Sequence, residues 1–547
     1  MRSRLASWHR RRILSMVVVV WHMNRWKRPA LGLLALCLLA GVLTWCSTLP
    51  SLENRELSQA LSVSTAKTTP LGKTIVPHAN ANPGKSGVYS LSEAREAFAA
   101  RMLLAQAAER TLDIQYYIWR PDQTGTLLFE ALHAAADRGV RVRLLLDDIN
   151  TSGLDRMLSA LDSHPLIEVR LFNPFIVRKP RIVGFVTDFF RANRRMHNKS
   201  FTVDNQVTII GGRNVGDEYF GATDNSLFED LDVLAVGPVV DEVSQDFDRY
   251  WASDSSYPVS LLLPPADPEL IQEVASAAAL LESNPAAAGY FEAVRNAGRI
   301  RELIQGKPKL EWATTRMISD DPGKGLGLAS NDELFPQQLK KIIGEPTLEV
   351  DLVSSYFVPT AAGVKTFAAL TGKGVKIRIL TNSLEATDVP AVHAGYAKWR
   401  KPLLEAGITL YEKRKLSPAP GRTSRGSRRS GPLGSSGSGS SLHAKTFAVD
   451  GASVYIGSFN FDPRSAKLNT ELGFVIESPI MARQIEVAFD QSVPASAYEV
   501  RLSDDGQLYW LERRDGTVLR HDIEPGTTAW KRAMVWLISL FPIDWLL

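Results

Sequence analysis

Cysteine is almost missing: Cys37 and Cys46 are the only two among 547 residues. Everything after residue 46 lacks it, which excludes a disulfide framework, a cysteine nucleophile and a thiolate metal site from the body of the chain. A surplus of one charge is missing too. Lys and Arg number 63 against 59 Asp and Glu, a net charge of +4 that is too small to imply a general nucleic-acid binder. A complete nucleotide loop is also absent. Gly72-Lys73-Thr74 and Gly84-Lys85-Ser86 imitate its end, but the glycine required five residues earlier is Lys67 or Ala79, so no ATP site is expected. The uncharged run from Leu31 to Trp45 is short for a comfortable membrane span.

What the chain does contain is one pattern written twice. His197-x-Lys199 is followed by Asp204, Gly211-Gly212 and Asn214, and His443-x-Lys445 by Asp450, Gly457-Ser458 and Asn460, 246 positions later. Side chains alternate along a strand, so His and Lys at i and i+2 emerge together. Ser200 to Val203 and Thr446 to Val449 read as strands followed by Asp-Asn or Asp-Gly turns. Second short strands follow, Val207 to Ile210 and Ser453 to Ile456, and each ends in glycine and then an amide donor.

Each half thus brings an imidazole, an ammonium and an amide to one point. Two lysines and two asparagines suit the non-bridging oxygens of a phosphodiester and can neutralise its charge without a metal. Two imidazoles suit a two-step displacement in which one attacks phosphorus and the other protonates the leaving alkoxide. A nucleophilic histidine must be neutral and held in one tautomer by a carboxylate, and acids follow each motif at Asp230 and Glu471. The remaining histidines lack such company. His133, His164 and His521 read as surface, and His393 as a weaker candidate for a substrate wall.

This doubled pattern resembles the phospholipase D superfamily, whose members carry two HxKxxxxD motifs, and the likeness covers most of residues 90–547. It implies two homologous α/β sandwich domains (the phospholipase D fold) packed around one shared active site. By that resemblance His197 and His443 are nucleophile and general acid, with His197 read as the attacker, although the two-fold symmetry admits the reverse assignment nearly as well. Lys199, Asn214, Lys445, Ser458 and Asn460 bind phosphate, and Asp230 and Glu471 orient the histidines. The motif aspartates Asp204 and Asp450 belong to the family's catalytic signature but read as structural rather than as proton carriers. Gly212 departs from the usual Ser, present here as Ser458. Within the superfamily the chain is most similar to bacterial cardiolipin synthases of the C type. The residues that carry this likeness are Cys46-Ser47-Thr48-Leu49-Pro50, Gln115-Tyr116-Tyr117-Ile118-Trp119, Arg195-Met196-His197-Asn198-Lys199-Ser200, Ala386-Thr387-Asp388-Val389-Pro390-Ala391-Val392-His393-Ala394-Gly395-Tyr396 and Glu524-Pro525-Gly526-Thr527-Thr528. That likeness implies a phosphatidyltransferase acting on phosphatidylglycerol, with phosphatidylglycerol or phosphatidylethanolamine as donor, and no cofactor, metal or nucleic acid. A phospholipase D hydrolase, a phosphodiesterase acting on nucleic acid and a noncatalytic lipid-binding scaffold remain as alternatives.

The duplication extends past the motifs. Leu112 to Trp119 matches Leu348 to Phe357 at an offset of 236, and Arg138 to Leu146 matches Lys373 to Leu380 at 235. The expected layout is a signal or anchor segment over 1–50, a linker over 51–89, a first catalytic domain over 90–260 and a helical or loop connection over 261–340. A second catalytic domain over 341–495 and a C-terminal hairpin with a Trp-rich interfacial segment over 496–547 complete it. The larger offset of the second motif points to an insertion, the mobile Gly/Ser/Arg loop 417–441.

Several segments suit a membrane surface. Arg25, Lys27 and Arg28 precede the run Leu31–Trp45, which reads as an anchor or signal, and Met23 is a candidate start. Cys46 stands where a lipoprotein signal places its acylated cysteine, although Trp45 is larger than the residue expected before it. The catalytic body is therefore expected at the bacterial cell membrane, on its periplasmic or outer side. Arg191, Arg194 and Arg195 beside the apolar stretch Ile182–Phe190 suit a phosphate-attracting rim, and an ordinary buried helix accounts for the stretch equally well. The tail from Ala529 to Leu547 combines two cations with three Trp, as interfacial helices do.

Overall fold

A computed structural model describes residues 49–221, 230–267, 269–415, 442–514 and 516–547. The expected anchor Leu31–Trp45, Cys46 and the loop 417–441 lie outside the described residues. Two compact units are distinguished. The smaller includes Phe175–Phe189, where the helix Arg181–Thr187 exposes Ile182 and Val186 and the Phe185 and Phe189 rings meet edge to face at 5.3 Å. The larger comprises Asn54–Pro174 and Phe190–Leu547 and carries both sheets.

The first sheet is built from β1 (Ser86–Leu91), β2 (Thr111–Tyr116), β3 (Arg141–Asp147), β4 (Ile167–Phe172), β5 (Ser200–Val203), β6 (Val207–Gly211), β7 (Asp232–Val236), β8 (Ser256–Pro258) and β9 (Glu311–Ala313). Their spatial order is 8-4-3-2-5-6-7-1-9. The second comprises β10 (Thr315–Ser319), β11 (Glu349–Ser354), β12 (Lys376–Asn382), β13 (Thr409–Lys413), β14 (Lys445–Val449), β15 (Ser453–Gly457), β16 (Leu472–Ile476), β17 (Ala497–Leu502), β18 (Leu508–Arg514) and β19 (Thr517–His521), in the order 10-16-15-14-11-12-13-17-18-19. The run 8-4-3-2-5-6-7-1 of the first sheet therefore repeats as 17-13-12-11-14-15-16-10 of the second. The two homologous α/β halves expected from the sequence are present. The duplication also includes β10, which falls in the region expected to be a connection.

In each half three parallel strands form the middle, β2-β3-β4 and β11-β12-β13. Helices cross over between them, α1 (Gln123–Asp137) in the first half and α2 (Thr360–Gly372) in the second. With both faces covered, β2 is buried along its whole length. Two charged residues nevertheless sit inside it and its neighbour: Asp113 pairs with Arg143 at 2.6 and 2.8 Å, opposite each other in the ladder. Asp351 and Arg378 repeat this at 2.6 Å on both oxygens. Removing one partner of such a pair leaves a buried charge uncompensated, at roughly 3–5 kcal/mol.

These pairs correct the alignment of the halves. Arg143 and Arg378 keep the offset of 235, but Asp113 and Asp351 differ by 238, so β2 matches β11 two residues away from the sequence expectation. A shift of two leaves every side chain on the same face, so the apolar pattern cannot detect it. The bridges Trp119–Val215 and Phe357–Phe461 agree with the corrected register.

The segment expected to be a tether over 51–89 is largely folded. The helix Pro70–Ala81 starts on the Thr69 cap and buries Leu71 and Ile75 in the first core, and β1 then pairs with β7 and β9. Its few apolar residues have helical spacing, a signal that its polar composition obscured. At the other end the expected hairpin lengthens the second sheet as β17-β18-β19. It leads to α4 (Ala529–Ser539), which packs Val535 and Ile538 against Leu384 and Ala394 of the region around α3 (Pro390–Ala397).

Candidate active site

The two motifs meet where the centres of the sheets approach. His197 and Lys199 lie in the segment just before β5, and His443 just before β14, whose first residue is Lys445. Each segment is clamped at its entry. Asp147 accepts the Met196 amide at 2.8 Å, and Asn382 accepts the Leu442 amide at 3.1 Å, at matching positions of the two halves. The halves are then stitched together. The His197 amide donates to the Thr470 carbonyl and the Thr470 amide to the Arg195 carbonyl, both at 2.9 Å.

The carboxylates cross. His197 Nδ1 meets Glu471 Oε2 of the second half at 2.9 Å, and His443 Nδ1 meets Asp230 Oδ2 of the first half at 2.6 Å. Neither histidine is oriented from its own half, so each half is chemically incomplete alone. With Nδ1 engaged, Nε2 is the nitrogen left for chemistry on each ring.

The difference between Gly212 and Ser458 and that between Asp230 and Glu471 have one cause. Ser458 donates to Glu471 Oε2, whereas a Cβ added at Gly212 would stand 2.1 Å from Asp230 Oδ1. The shorter aspartate draws its carboxyl back against the backbone, and glycine is what leaves it room. The longer glutamate leaves space for a hydroxyl. Ser458 therefore supports a carboxylate rather than adding an independent group.

Both ammonium groups bend back onto carbonyls of their own motif, Lys199 to His197 and Lys445 to His443, and Lys445 also donates to Ser355 Oγ at 3.2 Å. The amide oxygen of Asn214 accepts from the Ile118 amide at 3.2 Å, and that of Asn460 from Ser355 Oγ at 3.0 Å. That leaves the amide nitrogens as donors. The motif aspartates lie at the far ends of the strands, seven residues along the chain from the histidines that precede them. Asp204 accepts the amides of Glu109, Arg110 and Thr111, and Asp450 those of Thr347, Leu348 and Glu349. They anchor the starts of β2 and β11, in keeping with their reading as structural and not with direct contact to a reacting group.

Electrostatics separates the two histidines. Burial, reinforced by Lys199 and Lys445, holds His197 well below the ordinary imidazole value, so it is neutral at pH 7. His443 is lowered by burial and Lys445, with Asp230 opposing. Burial works against ionisation of Asp230, but His443 and Lys445 outweigh it and hold the carboxyl far below its usual range. Glu471 is pushed up to about 7 by burial despite Lys199 and Ser458. Burial also brings Lys445 down to about 8, against the pull of Asp230 and Glu471.

Three tyrosines outside the two motifs border this group. The Tyr117 ring meets His197 edge to face at 4.9 Å and lies 5.4 Å from the Lys199 ammonium. Tyr219 meets His443 at 5.2 Å, and Tyr356 donates to Asp388. No local period marks them; only their places after β2, after β6 and after β11 do.

Other expectations change. The arginines expected to form a phosphate rim are committed elsewhere. Arg195 is buried and donates to the carbonyls of Ala192 and Asn173, Arg191 to the Pro174 carbonyl at 2.9 Å and Arg194 to that of Lys324 at 3.3 Å. They bind loop carbonyls because an irregular segment leaves these without ladder partners. His393 is not a substrate wall: it is buried, meeting Glu524 at 2.9 Å and Arg400 at 2.8 Å. His133, His164 and His521 are half-buried beside acids rather than free surface.

Comparison with known proteins places these features. A family model described as "Cardiolipin synthase, PLD-like domain" matches residues 102–251 and 339–493. Cardiolipin synthase C of Escherichia coli K12 is 51% identical over 477 residues, covering 87% of this chain and 99% of that protein. Cardiolipin synthase B of the same organism is 24% identical over 68% of this chain and 72% of its own length. Phosphatidylserine synthase of Haemophilus influenzae Rd KW20, at 13% identity, superposes with a TM-score of 0.53 over 87% of this chain and 100% of that one, a likeness of fold.

Proposed function

The chain belongs to the phospholipase D-like cardiolipin synthase family, and from that premise we propose that it transfers a phosphatidyl group onto phosphatidylglycerol through a phosphohistidine intermediate. The crossed imidazole–carboxylate pairs carry this reading, because they make one site from two halves and give its two histidines different partners.

His197 Nε2 attacks the donor phosphorus. The bond from phosphorus to the headgroup oxygen breaks, and His443 hands its Nε2 proton to the departing alkoxide. The ionised Asp230 supports a charged His443, whereas Glu471, pushed up toward neutrality, gives less support to charge on His197. That difference makes His197 the nucleophile. In the second step His443 takes the proton of a phosphatidylglycerol hydroxyl, the new oxygen–phosphorus bond forms, and His197 leaves neutral. Lys199, Lys445, Asn214 and Asn460 hold the non-bridging oxygens throughout.

Membranes containing the protein, given labelled phosphatidylglycerol with and without phosphatidylethanolamine, are expected to yield cardiolipin. Phosphatidic acid as the sole product would replace transfer by hydrolysis. The pH profile follows from Lys445. Its proton is needed on the phosphate and is lost as pH rises through about 8; burial also lowers Lys199 and the acid His443, so kcat/KM is expected to fall already below that pH and to steepen by a further tenfold per unit above it. The limb in kcat should lie higher, because bound phosphate holds the proton. A flat kcat/KM from pH 7 to 10 would remove Lys445 from this role.

Among the described residues no helix is long and apolar enough to cross a membrane. Interfacial contact is proposed for α4 and the residues after it, where Trp530 is 79% and Trp536 63% exposed, with Leu540, Phe541 and Trp545 also exposed. The chain end after α4 is tied down by Arg464, whose side chain donates to the Asn193 and Leu546 carbonyls and whose amide donates to the Leu547 carbonyl. Replacing Trp530 and Trp536 together by alanine is expected to weaken binding to phosphatidylglycerol vesicles tenfold or more, at about 25 cal/mol per Å² of apolar surface no longer covered, with the melting temperature unchanged. Sedimentation with vesicles measures it, and undiminished binding would place the membrane contact elsewhere.

A further inference from the structure

The corrected register shows what the second half has and the first does not. At the offset of 238, Tyr117 corresponds to Ser355 and Ile118 to Tyr356. In the first half the side chain next to the lysine is an aromatic ring, Tyr117 against His197. In the second it is Ser355, which takes Lys445 and Asn460, and Tyr356 reaches outward to Asp388 at 2.9 and 3.1 Å. Asp388 is exposed, on the loop between β12 and α3, and at the offset of 235 its counterpart is Gly153, with no carboxylate.

Asp388 is close enough to act electrostatically on Lys445, and Tyr356 has Tyr219 and Tyr117 as electrostatic neighbours. Tyr219 in turn lies against His443. The pair therefore borders the side of the site that handles protons of alcohols. With the phenol proton given to Asp388, both residues present only acceptor lone pairs outward. Such a patch repels the phosphodiester toward the two lysines and welcomes a headgroup rich in donors.

We infer that Asp388 and Tyr356 form a headgroup subsite that binds the donor groups of a polar lipid headgroup, the vicinal hydroxyls of glycerol or an ammonium, and points the rest of that lipid's phosphate away from itself. This rests on the phosphatidyltransferase reading and names which residues select the alcohol. Bound there, the glycerol of the acceptor has one hydroxyl left for His443 to deprotonate, which favours it over water in the second step.

The test uses the full chain in mixed micelles, with wild type, Asp388→Asn, Asp388→Ala and Tyr356→Phe. Labelled phosphatidylglycerol alone and labelled phosphatidylethanolamine with unlabelled phosphatidylglycerol serve as the two arms. For Asp388→Ala the acceptor KM is expected to rise about tenfold and the ratio of phosphatidic acid to cardiolipin to rise with it, while phosphohistidine formation from labelled phosphatidylethanolamine stays within twofold. Asp388→Asn, which keeps an acceptor oxygen, should fall between, and so should Tyr356→Phe. If instead only cleavage of phosphatidylethanolamine slows, the subsite holds the donor's ammonium. Unchanged acceptor KM, product ratio and phosphatidylethanolamine cleavage in Asp388→Ala would overturn the inference. A wild type that transfers nothing would instead overturn the activity on which it rests.

Discussion

His197→Ala is expected to abolish transfer, with a loss of at least about 10⁴-fold, because no other group can form the covalent intermediate at that point. His443→Ala should be nearly as slow overall and different in kind. It keeps the nucleophile but lacks the group that protonates the leaving alkoxide and deprotonates the acceptor. Labelled donor should therefore leave a small amount of label on the His443→Ala protein and none on His197→Ala. An alkaline quench distinguishes the two, since a phosphorus–nitrogen bond survives alkali and is lost in acid. Label on His443 in the His197→Ala protein would reverse the assignment of the two histidines. Cardiolipin formation surviving both substitutions would end the mechanism altogether.

Glu471→Gln should cost about 10²–10⁴-fold in phosphohistidine formation at His197, although the two residues belong to different halves. The amide keeps the shape of the carboxylate but not its ability to fix Nδ1–H and support charge on the ring. Asp230→Asn should act on His443 instead, slowing proton transfer and letting intermediate build up. A double-mutant cycle makes the crossing measurable. Glu471 and His197 should be strongly non-additive, as should Asp230 and His443, while Glu471 with His443 should add within the error expected of separate partners. Strong coupling of Glu471 to His443, with none to His197, would show that the carboxylates do not cross in solution. Because Ser458 also donates to Glu471, Ser458→Ala should reproduce a smaller part of the Glu471 effect.

Much of this site is legible in the chain. His197, Lys199, Asn214 and their second-half counterparts are marked by spacing because residues of one strand and its following turn are local, and local spacing survives in one dimension. The acids Asp230 and Glu471 are legible as acids but not as partners. Nothing in the order of residues says that a carboxylate serves the ring 213 or 274 positions away rather than the nearer one. The pairing of Gly212 with Asp230 was equally hidden, since the reason for the glycine is a 2.1 Å approach across strands. Misplacing β11 by two residues has the same origin. Period-two alternation is blind to an even shift, and only the buried Asp351–Arg378 pair resolves it. The arginines at 191, 194 and 195 misled because charge count ignores what each guanidinium is already bonded to.

By itself, then, the sequence determined the duplicated α/β layout, the paired motifs of the candidate site and their family, because these rest on local period and spacing. Tertiary structure alone decided which carboxylate holds which imidazole, that the polar segment before β1 folds onto the core, and that Tyr356 pairs with Asp388 next to the Ser355 that meets Lys445. Those are relations between distant residues, set by how two sheets pack and how far each side chain reaches.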